Sequence, residues 1–488
     1  MLKDHLKKAT TNKLTYTENG AVAVASTGTA LLDFFSIGAA LRTRSADEVE
    51  KLFLEAFYED NLLALKMLFY IRDIRGGQGE RKTFGTIIKM LANTYPEILS
   101  KNLALIPEYG RWDDLWPLLD TDVFDDVVLL VKRQLEKDIS DYKQNKSISL
   151  LAKWLPSANA SAFRNRRYAS ILRTQLSMTR TTYLDTVKSL RSHLKIVEKQ
   201  MTTNDWGNIN YEAVPSRASV IYRNAFKRHD TYRYQQYLND VVDGAAKINT
   251  GTLYPYDLVT KVLYGSDNSK TLSVAWDNLP DYFNGIEENS LVVADVSGSM
   301  SGLPMAVSIS LAMYIAERNK GPFHNCYLTF SDTPKLIEIK GKTLYEKVQY
   351  INRTNVGYDT NVEAVFDLIL KIALKQKMPQ SDLPSRLYIV SDMEFNMIQG
   401  YNNKPNKTLF QNLKKRFKQR GYKMPELVFW NVNSRNTRFP MSIDSRGFLN
   451  VSGCSPSILE SLLSGEVKTP HDLMIQTITK PRYDMVTI

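Results

Sequence analysis

Two rhythms of apolar and polar positions divide the chain. Between roughly residues 30 and 280 apolar side chains recur at helical spacing. Ser45-Ala46-Asp47-Glu48 reads as a helix start, a capping serine with a glutamate three residues on, and Val49, Leu52, Phe53, Ala56 and Phe57 follow on one face. The same spacing predicts helices over Asn61–Asp73 and Lys82–Thr94, then helix pairs through Pro96–Leu105 and Leu115–Lys137. Before them, Gly20–Ala30 is rich in Gly, Ala, Ser and Thr and is expected to be loop, with helix beginning at Leu31. Short turns between successive helices suggest an α-solenoid, although no exact sequence period accompanies them.

From residue 290 the rhythm changes. Leu291–Ala294, Asn325–Phe330, Arg386–Asp392, Glu426–Val432 and Gly447–Val451 are short apolar runs of the kind that form buried strands, with Leu336–Lys340 as a candidate edge strand. Between them lie helical patterns at Leu303–Asn319, Val362–Lys377, Lys407–Arg420, Ser455–Leu463 and His471–Thr479. Alternation of this kind predicts a doubly wound, mostly parallel α/β sheet. The expected fold class is therefore α plus α/β. An all-α helical-repeat (HEAT-like) module at 31–285 follows an amino-terminal segment, 1–30, and precedes an α/β domain at 286–488.

A chain of 488 residues with 43% hydrophobic content has enough apolar material for two cores. Met1–Lys13 lacks the apolar centre of a signal peptide, and the most apolar stretch, Met305–Ala316, is too short to span a bilayer, so a soluble, cytoplasmic protein without membrane partners is expected. Two cysteines, Cys326 and Cys454, make no disulfide framework and are expected to be buried thiols.

The strand ending at Ala294 runs straight into Asp295-Val296-Ser297-Gly298-Ser299. A carboxylate and two hydroxyls at alternating positions, with a glycine for the turn, can aim hard oxygens at one point, as Mg²⁺ or Mn²⁺ requires. An EF-hand would need Gly and Glu where Met300 and Ala306 stand, which excludes that loop. The plain alternative is a strand-to-helix turn in which Ser297 or Ser299 caps the helix. Downstream, Thr360 and Asn361 close the loop Asn352–Asp359 and open the next helix, and Asp392 ends another strand. Asp295, Ser297, Ser299, Thr360 and Asp392, in this order and on these elements, resemble the metal-ion-dependent adhesion site of von Willebrand factor A domains, a resemblance that covers residues 288–488. It implies a bound Mg²⁺ (or Mn²⁺) and a protein partner recruited through it.

Arg75-Gly76-Gly77-Gln78-Gly79-Glu80-Arg81 is a glycine-dense turn between helices. It lacks the Gly-Lys-Ser/Thr ending and the preceding strand of a phosphate loop, so it is expected to be structural. Together with Ala64–Asp73 and Ile106–Leu115, this turn resembles the TROVE module of telomerase, Ro and vault ribonucleoproteins. The fuller likeness is to a family of plants, large viruses and phages that joins such a module to a carboxyl-terminal A domain. Thr17-Glu18-Asn19-Gly20, Ala152–Ser157 and Val214–Leu238 carry further echoes of it. The resemblance implies a Ro-like scaffold that binds small structured RNA or single-stranded ends.

Charge agrees with that direction. The net charge is +11, and Asp141–Arg233, with 17 Lys and Arg against 6 Asp and Glu, holds the whole excess. Candidate RNA-binding residues are Arg164, Arg166, Arg167, Arg173 and Arg180, several on one helical face around Tyr168, continued by Lys188, Arg191 and Lys195. A second cluster comprises Arg217, Arg223, Lys227, Arg228, His229 and Arg233 among Tyr222, Tyr232 and Tyr234. Salt-bridged surfaces give the same counts. Lys414–Arg420 adds a basic helix face in the α/β domain. Asp392 and Glu394 stand two apart, but no nucleophile and base pair accompanies them, so no enzyme is expected. The expected function is an RNA-binding ribonucleoprotein component; a metal-dependent protein scaffold without RNA is the alternative, and a metal-dependent nuclease a distant third.

Overall fold

The computed structural model describes residues 14–194, 196–286, 288–330, 333–354, 361–395, 409–440, 446–464 and 469–488. Its helical part starts where the pattern placed it, at Ala30–Ile37, and continues through Ala46–Glu59, Asn61–Arg72 and Arg81–Thr94. Ser45 and Glu48 form the reciprocal cap that their spacing called for: the hydroxyl accepts from the Glu48 N–H, and the carboxylate accepts from the Ser45 N–H. The stretch Leu115–Lys137 holds a 3₁₀ segment at Trp116–Asp120 and a helix at Phe124–Lys143, parted at Thr121, which is extended.

Six strands make the main sheet. They are β3 (Ser290–Ala294), β4 (Cys326–Thr329), β5 (Leu336–Glu338), β6 (Arg386–Ser391), β7 (Glu426–Asn431) and β8 (Phe448–Ser452), in the order β5-β4-β3-β6-β7-β8. All neighbours are parallel except β5, which joins β4 antiparallel at the edge. Counted within the sheet this is the doubly wound order 3-2-1-4-5-6, whose direction reverses between β3 and β6.

Alternate residues of each strand serve two different cores. Leu291, Val293, Leu387, Ile389, Leu427 and Phe429 pack against helices Val362–Gln376 and Leu409–Gln419. Val292, Ala294, Tyr388, Val390, Val428 and Trp430 face the other way and join a cluster that runs from Val24 to Val486. Coverage of both faces explains why the strands read as unbroken apolar runs. Helix Leu303–Arg318 is the inner layer on that second side. Its residues Ala306 to Ala316 are all buried, because the sheet covers one face and helix Pro255–Gly265 packs on another. One core therefore crosses the expected boundary at residue 285.

The amino-terminal segment corrects the loop expectation for Gly20–Ala30. β1 (Leu14–Tyr16) and β2 (Val22–Val24) form an antiparallel hairpin, and Val24 exchanges both backbone hydrogen bonds with Phe439. The hairpin turn lies against the α/β part, where Ala21 joins the core of Val293 and Ile389, while Val24 joins the core shared with the helices. The three-residue strands are too short for a periodicity to register.

The glycine turn is structural, as expected, and its role is docking. Gln78 accepts the Ser455 N–H at 3.0 Å, and the Gly77 carbonyl accepts the Ser457 hydroxyl at 3.1 Å. Beside it, Arg482 pairs with Asp73, and Tyr483 sits buried between Tyr70 and Tyr109. Among the described residues no helix is long and apolar enough to cross a membrane.

Candidate metal centre and basic face

Parallel pairing of Ala294 with Val390 sets Asp295 beside Ser391 at the carboxyl ends of β3 and β6, the point of strand reversal where open α/β sheets hold ligands. Asp295 is wholly buried. Its carboxylate accepts the Ser391 hydroxyl at 2.6 Å and the Ser297 N–H at 2.9 Å. Burial, then the nearby Asp392 charge, pushes its pKa up to about 6 against the lowering effect of those hydrogen bonds. Ser297 and Ser299 place their hydroxyl oxygens 3.1 Å apart. Ser391 also accepts the Met393 N–H at 3.1 Å, so one hydroxyl ties the two strand ends together.

Asp392 is buried as well, and accepts the Glu394 N–H at 3.2 Å and Arg435 Nη2 at 3.1 Å. Met393, between the two acids, holds a left-handed φ of 67°, a conformation that costs an unbranched residue about 1–3 kcal/mol and clusters at functional sites. Two buried carboxylates with two hydroxyls beside them are an oxygen set suited to Mg²⁺ or Mn²⁺, and burial of like charges leaves a deficit that a cation would offset. Among the described residues no trio of His, Cys, Asp or Glu gathers for a metal. A cation here would rest on two acids plus hydroxyls. Asn361 caps the helix Val362–Gln376 through the Ala364 N–H, while Thr360 lies outside the described residues.

Arg435 and Glu18 are the residues that sequence reasoning missed. Arg435 follows β7 in a polar run, Asn431 to Arg438, and so comes to the same sheet edge as Asp392. Glu18 arrives from the β1–β2 turn. Its N–H donates to Glu394 at 2.6 Å, Thr17 donates its hydroxyl to the Phe395 carbonyl at 2.6 Å, and Asn436 bridges Glu18 and Glu394. Thr17-Glu18-Asn19-Gly20 is a turn signal whose partner, 376 residues away, has no local trace.

The basic candidates scatter. Arg164, Arg166, Arg167 and Arg173 lie on helix Phe163–Gln175, but Arg180 opens a separate helix, Arg180–His193, so the five do not share one face. Arg164 bonds Tyr168, Arg166 binds the Ala160 and Ser161 carbonyls, and Arg167 forks onto Asp120. Arg173 reaches the Met178 carbonyl, and Arg180 the Asn159 side chain. Arg191 holds the Ala152 and Leu155 carbonyls, and burial lowers its pKa. Arg223 is buried, donates from Nε and Nη2 to one oxygen of Asp267, and belongs to the interior. Lys195 lies outside the described residues.

Lys188, Lys227 and Arg228 are exposed. Beside the last two, His229 stacks on Trp206 with ring centres 4.4 Å apart and planes 7° from parallel, and Tyr232 is 93% exposed. Arg217 pairs with Asp257, and Arg233 with Asp230.

Comparison with known proteins finds two families in tandem. One described as Domain of unknown function (DUF2828) matches residues 17–127 and 120–280, and one described as Domain of unknown function (DUF7788) matches 289–482. No solved structure matches. The uncharacterized protein L728 of Acanthamoeba polyphaga mimivirus is 30% identical over 508 residues, covering 95% of this chain and 87% of its own. With more than half its length matched by the first of these families, the chain belongs to the DUF2828 family, and its carboxyl-terminal part matches DUF7788.

Proposed function

We propose that the chain is an RNA-binding component of ribonucleoprotein type, in which an A-type α/β domain holds Mg²⁺ (or Mn²⁺) and recruits a protein partner through it. The observation that carries this reading is the pair of buried carboxylates, Asp295 and Asp392, at the strand reversal between β3 and β6, with Ser297 and Ser299 alongside. Asp295, Ser297, Ser299 and Asp392, with Thr360 from the family resemblance, would hold the ion. A bound divalent cation supplies a Lewis acid that takes a partner's carboxylate. The chain's own part is to fix the oxygens: Ser391 orients Asp295, and the tight turn at Met393 orients Asp392.

The RNA half rests on a narrower surface than the charge count suggested. Exposed Lys227 and Arg228 beside the Trp206–His229 stack and Tyr232 combine phosphate-seeking cations with ring faces on which unpaired bases stack. The helical series upstream would act as a HEAT-like scaffold for this face. Purification at low salt followed by sequencing of co-purified nucleic acid tests it. RNA that disappears with Lys227→Glu and Arg228→Glu, and whose affinity falls as salt rises, supports the reading. A protein free of RNA, with a partner complex that chelator and Asp295→Ala abolish but nuclease spares, favours the scaffold without RNA.

A further inference from the structure

Arg435 is shared between two acids of different standing. Its Nη2 stands 3.1 Å from Asp392 Oδ2 and 2.9 Å from Glu18 Oε2; Asp392 is sealed, with a side chain 0% exposed, while Glu18 is 43% exposed. Glu18 is fixed independently of the arginine. Its N–H is held by Glu394, and its Oε1 accepts from Asn436 at 2.9 Å. The guanidinium keeps a buried Nε with no hydrogen-bond partner, so its grip comes from the end that faces the two carboxylates.

A divalent cation at Asp295 and Asp392 would need the same electron pairs and the same negative field that Arg435 now uses. Two positive groups on one buried carboxylate repel each other, and Glu18 offers the guanidinium a second seat without moving the backbone. We propose that Arg435 is a tethered competitor for the cation at Asp392, and that metal binding hands it over to Glu18. The inference rests on the metal reading above and adds a consequence for it: the site has a built-in counter-cation, so metal affinity is set below what its oxygens alone would give. By linkage, metal loading tightens the hold of Arg435 on the amino-terminal turn at Glu18.

Calorimetric titration of the full chain with Mn²⁺ tests this, using wild type, Arg435→Gln, Glu18→Gln, both together, and Asp295→Ala. Arg435→Gln is expected to tighten Mn²⁺ binding about tenfold, the size of a modest coupling between sites. Glu18→Gln, which removes the second seat, is expected to weaken it several-fold, and the double variant to behave as Arg435→Gln alone. Thermal unfolding with and without Mn²⁺ gives a second measure: Arg435→Gln is expected to melt lower without metal and to gain more from it than wild type. If Mn²⁺ binds wild type, is lost in Asp295→Ala, and binds Arg435→Gln no more tightly, the competitor is overturned while the metal site stands. If neither wild type nor Arg435→Gln takes Mn²⁺, both are overturned. Should Arg435→Gln fail to fold, Glu18→Gln, a change at a side chain 43% exposed, decides: unchanged Mn²⁺ affinity there refutes the hand-over.

Discussion

Tyr264 donates its phenolic hydrogen to the carbonyl of Gly302 across 2.6 Å. The tyrosine ends helix Pro255–Gly265 of the helical part, and the glycine, with φ +85°, joins the Ser297–Ser299 loop to helix Leu303–Arg318. The two halves of the molecule thus touch at the backbone of the candidate metal loop. Because Tyr264 is 58% exposed, the bond adds under about 1 kcal/mol to stability. Tyr264→Phe is expected to leave the melting temperature nearly unchanged while speeding amide exchange at Met300 and Ser301, read by hydrogen-exchange mass spectrometry. Unchanged exchange there would mean that the helical part does not brace the loop.

A much larger loss is expected from Asp114→Ala. Arg72, with a side chain 2% exposed, places both Nε and Nη2 on one oxygen of Asp114, and Arg81 binds the other. Removing the carboxylate strands a buried guanidinium, which costs about 3–5 kcal/mol. Urea unfolding should show the midpoint falling accordingly; a loss below about 1 kcal/mol would mean that water reaches the pair.

Gly79 and Gly85 sit close in the chain but should respond to an added methyl group with opposite signs. At Gly79, φ is +63° and an added Cβ would stand 2.0 Å from the Tyr254 hydroxyl, so Gly79→Ala is expected to destabilise by about 1–3 kcal/mol. Gly85, inside helix Arg81–Thr94, has nothing within 4 Å of such a Cβ. Gly85→Ala should stabilise by about 0.5–1 kcal/mol. Opposite signs in parallel thermal melts are the expected result.

Asp33 should give the stability profile an acid-side slope. It accepts the Thr27 N–H and hydroxyl and the Ser26 hydroxyl, yet burial pushes its pKa up to about 6 from an ordinary 3.8. The folded protein therefore holds this proton more tightly than the unfolded chain. Its contribution is fully present below pH 3.8 and is lost as pH rises through 6, by at most about 3 kcal/mol. Asp33→Asn, compared with wild type by unfolding at several pH values, should remove that part of the slope.

Strands and inner helices were legible because burial on both faces writes itself as unbroken apolar runs: Leu291–Ala294 and Arg386–Asp392 could be placed to within a residue. Asp295 and Asp392 were legible because a strand that ends abruptly in an acid is a local signal. The hairpin at Leu14–Val24 was not, since its strands are three residues long and its outside partners, Phe395 for Thr17 and Phe439 for Val24, lie far along the chain. Charge misled for a related reason. Arg223 and Arg191 count as cations in the sequence, but Asp267 and the carbonyls of Ala152 and Leu155 use them up inside. Composition registers a charge and cannot tell which way it points.

The reach from Thr17 to Phe395 spans 378 positions, and it sets an order of events during synthesis. A two-stranded hairpin alone is marginal in water, so the earliest part of the site to leave the ribosome has nothing to rest on until β6 follows. At about 5–20 residues per second that interval is about 20–80 s. The helical part can pack meanwhile from local contacts, whereas the sheet edge with Asp392, Arg435 and Glu18 closes late. A chain stopped short of β7 would carry Glu18 and Asp392 with no arginine between them, and the sheet edge is finished only once β7 and Arg435 have followed.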